Sequence, residues 1–179
     1  YWQGVCEVTR QVLKKAGAAP ESVAGMAFGT QWKGIMPVDK DGKVLHNSII
    51  WLDARAVDQA KRLNEKFGEG LFAASDYWPK LMWLRENEPE IYENTHKFLL
   101  VEDFLLYHLT GKFVSEKSLL TSTGWFDLQT DSLWEKGLEA AGICPDKLPA
   151  VLECGEQVGL LTEAAAELLG LEAGIPVVT

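Results

Sequence analysis

The chain carries few of the residues and motifs that mark a nucleotide loop, a metal site, a membrane span or a nucleic-acid surface. There is no G-x-x-x-x-G-K-[ST] phosphate loop and no G-x-G-x-x-G turn; the 16 glycines are scattered as turn and cap residues. Three cysteines, Cys6, Cys144 and Cys154, are widely spaced with no C-x-x-C, and the three histidines, His46, His96 and His108, are equally dispersed. Tetrahedral metal sites draw paired ligands from local spacings, so neither set predicts one. The thiols read as buried and reduced, as in a reducing cytosol. Basic residues are outnumbered, 17 Lys and Arg against 26 Asp and Glu, for a net charge of -9. That balance argues against nucleic acid, because neutralising phosphates needs clustered Lys and Arg. No apolar run approaches the ~18 residues of a membrane span, and no signal peptide is read at the start. A cytoplasmic protein with no membrane partner is the expectation.

What is present suits one folded domain: 179 residues, 47% hydrophobic and 10% aromatic, too apolar for disorder. Residues 23–56 organise the chain. Residues 23–28 read as a buried strand, broken by Gly29, with Thr30, Gln31, Trp32 and Lys33 at its end. A second strand over 35–38 reaches Asp39-Lys40-Asp41-Gly42, a hairpin turn in which Gly supplies the positive φ. Two further apolar runs, 43–45 and 49–52, complete a meander, and Asp53-Ala54-Arg55 leads into a helix over 53–67 that Asp53 could cap. Elsewhere an apolar stripe predicts a helix over 1–16 ended by Gly17. Residues 71–79 read as a loop holding Tyr77 and Trp78, and 80–85 as a short helix. A buried strand over 98–101 leads to a helix over 102–109. Ser132 is the expected cap of a helix carrying Trp134, Thr162 of a helix over 163–169, and 175–178 is a last strand. Helices interleaved with a meander and isolated strands give an α/β class with a mixed sheet flanked by helices.

The order G-x-x-x-G-T-Q-x-x-G, the D-x-G turn and W-x-D-x-R resembles the N-terminal domain of the FGGY family of carbohydrate kinases, which includes xylulose, ribulose, gluconate and glycerol kinases. Later segments extend the resemblance: Pro79-Lys80-Leu81-Met82-Trp83-Leu84, Asn87-Glu88-Pro89, Glu102-Asp103-Phe104-Leu105, Leu109-Thr110-Gly111, Leu148-Pro149, Gly159 and Gly174-Ile175-Pro176-Val177. It covers nearly the whole of residues 1–179 and implies a ribonuclease H-like fold, one lobe of the actin-type ATPase architecture. It also implies ATP and Mg2+ as cofactors and a pentulose or related polyol as substrate. The family's base is an Asp just after the strand that residues 175–179 resemble, and its first D-x-G-T hairpin precedes a helix like 1–16. The chain is therefore expected to be a lobe truncated at both ends and inactive alone, with open sheet edges that invite a homodimer.

Within that resemblance Gln31, Trp32 and Lys33 fall where xylulose kinases show Q-M-H and glycerol kinases Q-R-E, the substrate-contacting positions. Gln offers donor and acceptor, Trp can cover the apolar face of a sugar, and Lys adds a charge suited to an acidic or hydroxyl-rich ligand. Asp53 and Arg55 form a second candidate pair, and Tyr77 a third contact. Asp103, Glu116 and Ser118 match family positions but read as structural hydrogen-bonding groups, and Trp83, Trp125 and Trp134 as core. Two other readings compete: a non-catalytic sugar-binding or assembly module of the same fold, and an actin-like ATPase without a sugar substrate, which the G-T-Q and W-x-D-x-R stretches disfavour.

Overall fold

The computed structural model describes residues 1–179. Helix α1 (Trp2–Ala16) ends on Gly17, whose φ of 60° closes the last turn as the apolar stripe predicts. Strand β1 (Met36–Val38) precedes helices α2 (Val57–Phe67), α3 (Tyr77–Asn87) and α4 (Pro89–Asn94). Strand β2 (Lys97–Leu99) feeds α5 (Val101–Thr110), and β3 (Val114–Glu116) feeds α6 (Lys117–Thr123). A small hairpin of β4 (Phe126–Asp127) and β5 (Ser132–Leu133) leads to α7 (Glu135–Ala141). Strands β6 (Ala150–Leu152) and β7 (Gln157–Leu160), helix α8 (Glu163–Leu169) and β8 (Pro176–Val178) close the chain.

The mixed sheet is present as short ladders. β1 pairs antiparallel with β2, β4 with β5 and β7 with β8, while β3 and β6 run parallel. The β3–β6 connection carries α6, the β4–β5 hairpin and α7, the long crossover that a parallel pair requires. The expected meander is visible as bridges, with Ile35 exchanging both backbone hydrogen bonds with Ile49 at 3.0 and 3.2 Å. Residues 23–28 do not form the predicted strand. Only Met26 pairs, bridging Val177 of β8, while Val23, Met26 and Phe28 rest on the neighbouring core. Apolar content there reports contact with that core, not a full ladder.

The buried side chains gather into two large clusters and a smaller third. One gathers Trp78, Leu81 and Leu84 of α3 with Phe98, Trp125 and Leu138. The other packs Cys6 of α1 and Leu169 of α8 against Leu106, Leu109 and Val177. Met36, Val38, Leu99 and Phe104 join them. Cys6 is buried as read, but Cys144 and Cys154 are exposed, because both sit at turns outside the helix faces.

Several local expectations change. The helix after Asp53 starts at Val57, with Ala56 at the N-cap position, so Asp53 caps nothing and Arg55 precedes the helix. Tyr77 and Trp78 begin α3 and are not in a loop. Pro79 sits in its first turn, where no backbone donor is needed. Ser132 lies in β5, and Trp134, at the N-cap position of α7, replaces it. Thr162 does cap α8, its Oγ1 accepting the Ala165 amide at 3.3 Å.

Within residues 23–56 two glycines are required by close approach. A Cβ at Gly34 would lie 2.8 Å from Val101 Cγ2 and 3.3 Å from Ser48 Oγ, so the G-T-Q-x-x-G glycine lets α5 pack against this bend. Gly42 has φ +74°, and a Cβ there would lie 1.8 Å from Tyr107 Cε1. Gly42→Ala is therefore expected to destabilise the fold by about 1–3 kcal/mol, the range for overpacking combined with a left-handed backbone. A urea denaturation midpoint equal to that of the parent would contradict this packing.

Candidate functional site

An open cleft of about 650 Å3 lies over the start of α3. One wall is Trp32 and Lys33; the other is the α6–β4 corner and the β4–β5 hairpin, with Ser122, Gly124, Asp127 and Gln129. Tyr77, Trp78 and Trp134 lie beneath. Helix α3 sets this geometry. Its buried first turn places Trp78 Nε1 to donate to the Gly124 carbonyl at 2.9 Å, which pins the far wall. Asp76, immediately before the helix, forms an ion pair with Lys33 Nζ through Oδ1 and accepts the Ala73 amide through Oδ2 at 2.8 Å.

Lys33 adopts φ 61°, a left-handed conformation that costs a non-glycine residue energy unless its surroundings enforce it. The enforcing contacts are the Asp76 pair and the Trp32 ring, whose centroid lies 4.7 Å from Lys33 Nζ. Trp32 itself is 52% exposed, and its Nε1 donates to Ser122 Oγ at 2.8 Å. Ser122 in turn donates to the Leu119 carbonyl at 2.6 Å. A half-exposed indole with its polar edge already tethered presents an apolar face to the cleft.

Of the residues singled out in the sequence, Trp32, Lys33 and Tyr77 come together here. Tyr77 is 1% exposed, beneath the cleft, edge-on to Trp125, with no hydrogen-bond partner for its hydroxyl. Burial raises the phenol's pKa. Gln31 points elsewhere, Nε2 donating to the Tyr1 hydroxyl at 2.6 Å. Asp53 and Arg55 are spent on each other. Arg55 Nε and Nη2 donate to the Asp53 carboxylate at 2.9 and 2.6 Å, and the guanidinium lies 4.6 Å over the Trp83 ring. This hydrogen bonding lowers the Asp53 pKa and raises that of Arg55. The free Lys33 charge anticipated from the sequence is instead committed to Asp76. Asp76, Ser122, Asp127 and Gln129 are not among the candidates read from the sequence; an acid directly before Tyr77-Trp78-Pro79-Lys80 is the one signal that points to the first.

Behind the cleft Lys80 is fully buried, Nζ donating to the Ile50 carbonyl at 2.8 Å. Desolvation lowers its pKa to about 8, offset in part by Asp53. No group of three or more His, Cys, Asp or Glu side chains is arranged to hold a metal ion.

All of residues 1–179 match the model of the FGGY family of carbohydrate kinases, N-terminal domain. The chain belongs to this family. An autoinducer-2 kinase of Escherichia coli (strain SMS-3-5 / SECEC) is 34% identical over 191 aligned positions, covering 99% of this chain and 35% of that one. An L-fuculokinase of Escherichia coli (strain K12) is 33% identical across 79% of this chain and 32% of its own length. The crystal structure of Plasmodium falciparum glycerol kinase with ADP superposes with a TM-score of 0.86 at 19% identity, covering 98% of this chain and 38% of that chain, which shows the shared actin-like ATPase fold. The chain thus spans about a third of the length of the curated relatives it matches.

In this FGGY domain the acidic residues of α5 and β3 are structural. Glu116 caps α6, accepting the Ser118 and Leu119 amides and the Ser118 hydroxyl at 2.6 Å. Asp103 Oδ2 accepts the Leu100 amide at 2.8 Å, while its Oδ1 and Ser115 Oγ are buried without a partner. Desolvation raises both Glu102 and Asp103 to about 7, from ordinary values of 4.5 and 3.8, with neighbouring carboxylates adding to the shift. Between those values the folded chain holds protons that the unfolded chain has released. Stability is therefore expected to fall as pH rises from about 4.5 to about 7. Asp103→Asn keeps an acceptor for Leu100 and removes one of these protons, so urea midpoints at about pH 5 and about pH 8 should differ less than in the parent. An unchanged difference would mean the Asp103 carboxyl is ionised in the fold.

Proposed function

We propose that residues 1–179 form the sugar-side lobe of an ATP-dependent kinase that phosphorylates a hydroxyl of a pentulose or related polyol. The observation that carries this reading is the cleft in which the G-T-Q-x-x-G bend presents Trp32 and Lys33 opposite Ser122, Asp127 and Gln129. An indole face suits the C–H side of a sugar, and hydroxyl, carboxylate and amide groups suit its hydroxyls. Placing the substrate against a rigid wall supplies the orientation that phosphoryl transfer mainly needs.

Mg2+ and ATP supply the phosphoryl group and the bridging charge when bound. The residues of this chain do not fit them: there is no glycine-rich phosphate loop and no metal-ligand cluster. In this reading the nucleotide site and the carboxylate that accepts the substrate proton come from the part of the enzyme outside these residues. This chain binds and orients the sugar, and closure of the second lobe expels water. We read the enzyme as cytoplasmic, a compartment that supplies ATP. The edges left open by its two-stranded ladders would serve a homodimer.

In the full-length protein, a coupled ADP-release assay over ketopentoses, deoxyhexuloses and alditols should identify one preferred sugar. Trp32→Ala and Lys33→Ala should each raise KM for that sugar about tenfold with a smaller change in kcat, the pattern of lost uniform binding. Unchanged KM in both variants would remove the cleft as the sugar site.

A further inference from the structure

The charges in the cleft are arranged against an anionic substrate. Its lining carries Lys33, Asp76 and Asp127 as the charged side chains. Lys33 and Asp76 are paired, with side chains only 20% and 24% exposed, so solvent screens the pair weakly. Both Asp76 oxygens are engaged, one by Lys33 and one by the Ala73 amide. Asp127 on the facing wall is half-buried, accepts only the Gln129 amide at 2.8 Å and is left uncompensated. Lys117, at the start of α6, is taken by Asp131 at 2.7 Å and by Glu153. The one cation lining the cleft is thus held by a carboxylate of the chain, and a second lining carboxylate has no cationic partner.

We propose that Asp76 is a specificity-determining residue: by committing the Lys33 ammonium, it makes the cleft admit uncharged sugars and reject aldonates and sugar phosphates. This rests on the assignment of the cleft as the sugar site. An incoming carboxylate meets an ammonium whose charge a tethered carboxylate already neutralises at high effective concentration, and sharing that ammonium sets the two anions against each other. It must also approach Asp127, and like-charge juxtaposition disfavours the wrong partner. A neutral ketose meets neither cost and keeps the Trp32 face. Without Asp76 the same lysine becomes an anion site, which is why its type alone reads ambiguously.

The test uses the full-length enzyme and two substrates, the best neutral sugar from the ADP-release screen and the aldonate of the same carbon number. The wild type should favour the neutral sugar in kcat/KM by about a hundredfold or more, as desolvated charge mismatch predicts. Asp76→Asn, which keeps the Ala73 acceptor, should cut that ratio at least about tenfold by raising kcat/KM for the aldonate. Asp127→Asn should move the ratio in the same direction by a smaller factor, and it decides the matter if Asp76→Asn does not fold. Lys33→Met should widen it. A wild type that prefers the aldonate, or a ratio unmoved in both carboxylate variants, overturns the proposal. Trp32→Ala separates the two assignments. If it leaves kcat/KM for the neutral sugar unchanged, the cleft assignment fails and this inference with it. If it lowers that value while the carboxylate variants leave the ratio fixed, charge selection alone is wrong.

Discussion

Helix α3 is buried through its first two turns, and three polar groups at its start reach three different segments. Asp76 holds Lys33, Trp78 holds the Gly124 carbonyl and Lys80 holds the Ile50 carbonyl. The two walls of the cleft and the connection carrying Asp53 are therefore tied to one helical turn. The Trp78 and Lys80 tethers sit among large apolar side chains, where a lost partner leaves a buried donor without water to replace it. That asymmetry makes the arrangement specific: the surrounding segments can pack against α3 in the register that satisfies all three groups. The Lys80 ammonium shows the cost, since its burial shifts the equilibrium toward the neutral amine.

The site combines rigidity below with polarity above. Trp78, Trp125 and Trp134 form a floor of contacting rings at centroid separations of 6.0 to 6.2 Å. The hydroxyl and carboxylate groups at the rim come from the short α6–β4–β5 segment. The left-handed Lys33 is held by that floor's own helix, so the strained residue and the element that enforces its strain are neighbours. Membership of the FGGY family and the actin-like fold accord with the proposed division between a sugar-side lobe and a second lobe.

Much of this was visible in the residue order. The Asp-Gly turn at 39–42, the Gly17 stop and the Thr162 cap depend on local backbone chemistry, so a few residues suffice to place them. The start of α3 was not visible. A helix buried nearly all round over its first two turns, with a lysine among the buried residues, has no 3.6-residue stripe to detect, and Tyr77-Trp78-Pro79 imitates a loop. Asp53 illustrates a second limit. Its type and position suit a helix cap, but an arginine two residues on offered a charged, bidentate partner, and the helix began later.

The sequence by itself determined the family, the α/β class, the turns and the identity of the bend that bears Trp32 and Lys33, because these follow from motifs and from short-range backbone preference. Only the tertiary structure decided what those side chains are free to do. Whether Lys33 offers a charge, whether Asp53 caps a helix and whether Tyr77 is solvated depend on partners 43, 2 and 48 positions away in Asp76, Arg55 and Trp125. Ionic and hydrogen-bonding capacity is used by the neighbour that folding brings closest, and for Lys33 and Tyr77 that neighbour is far along the chain.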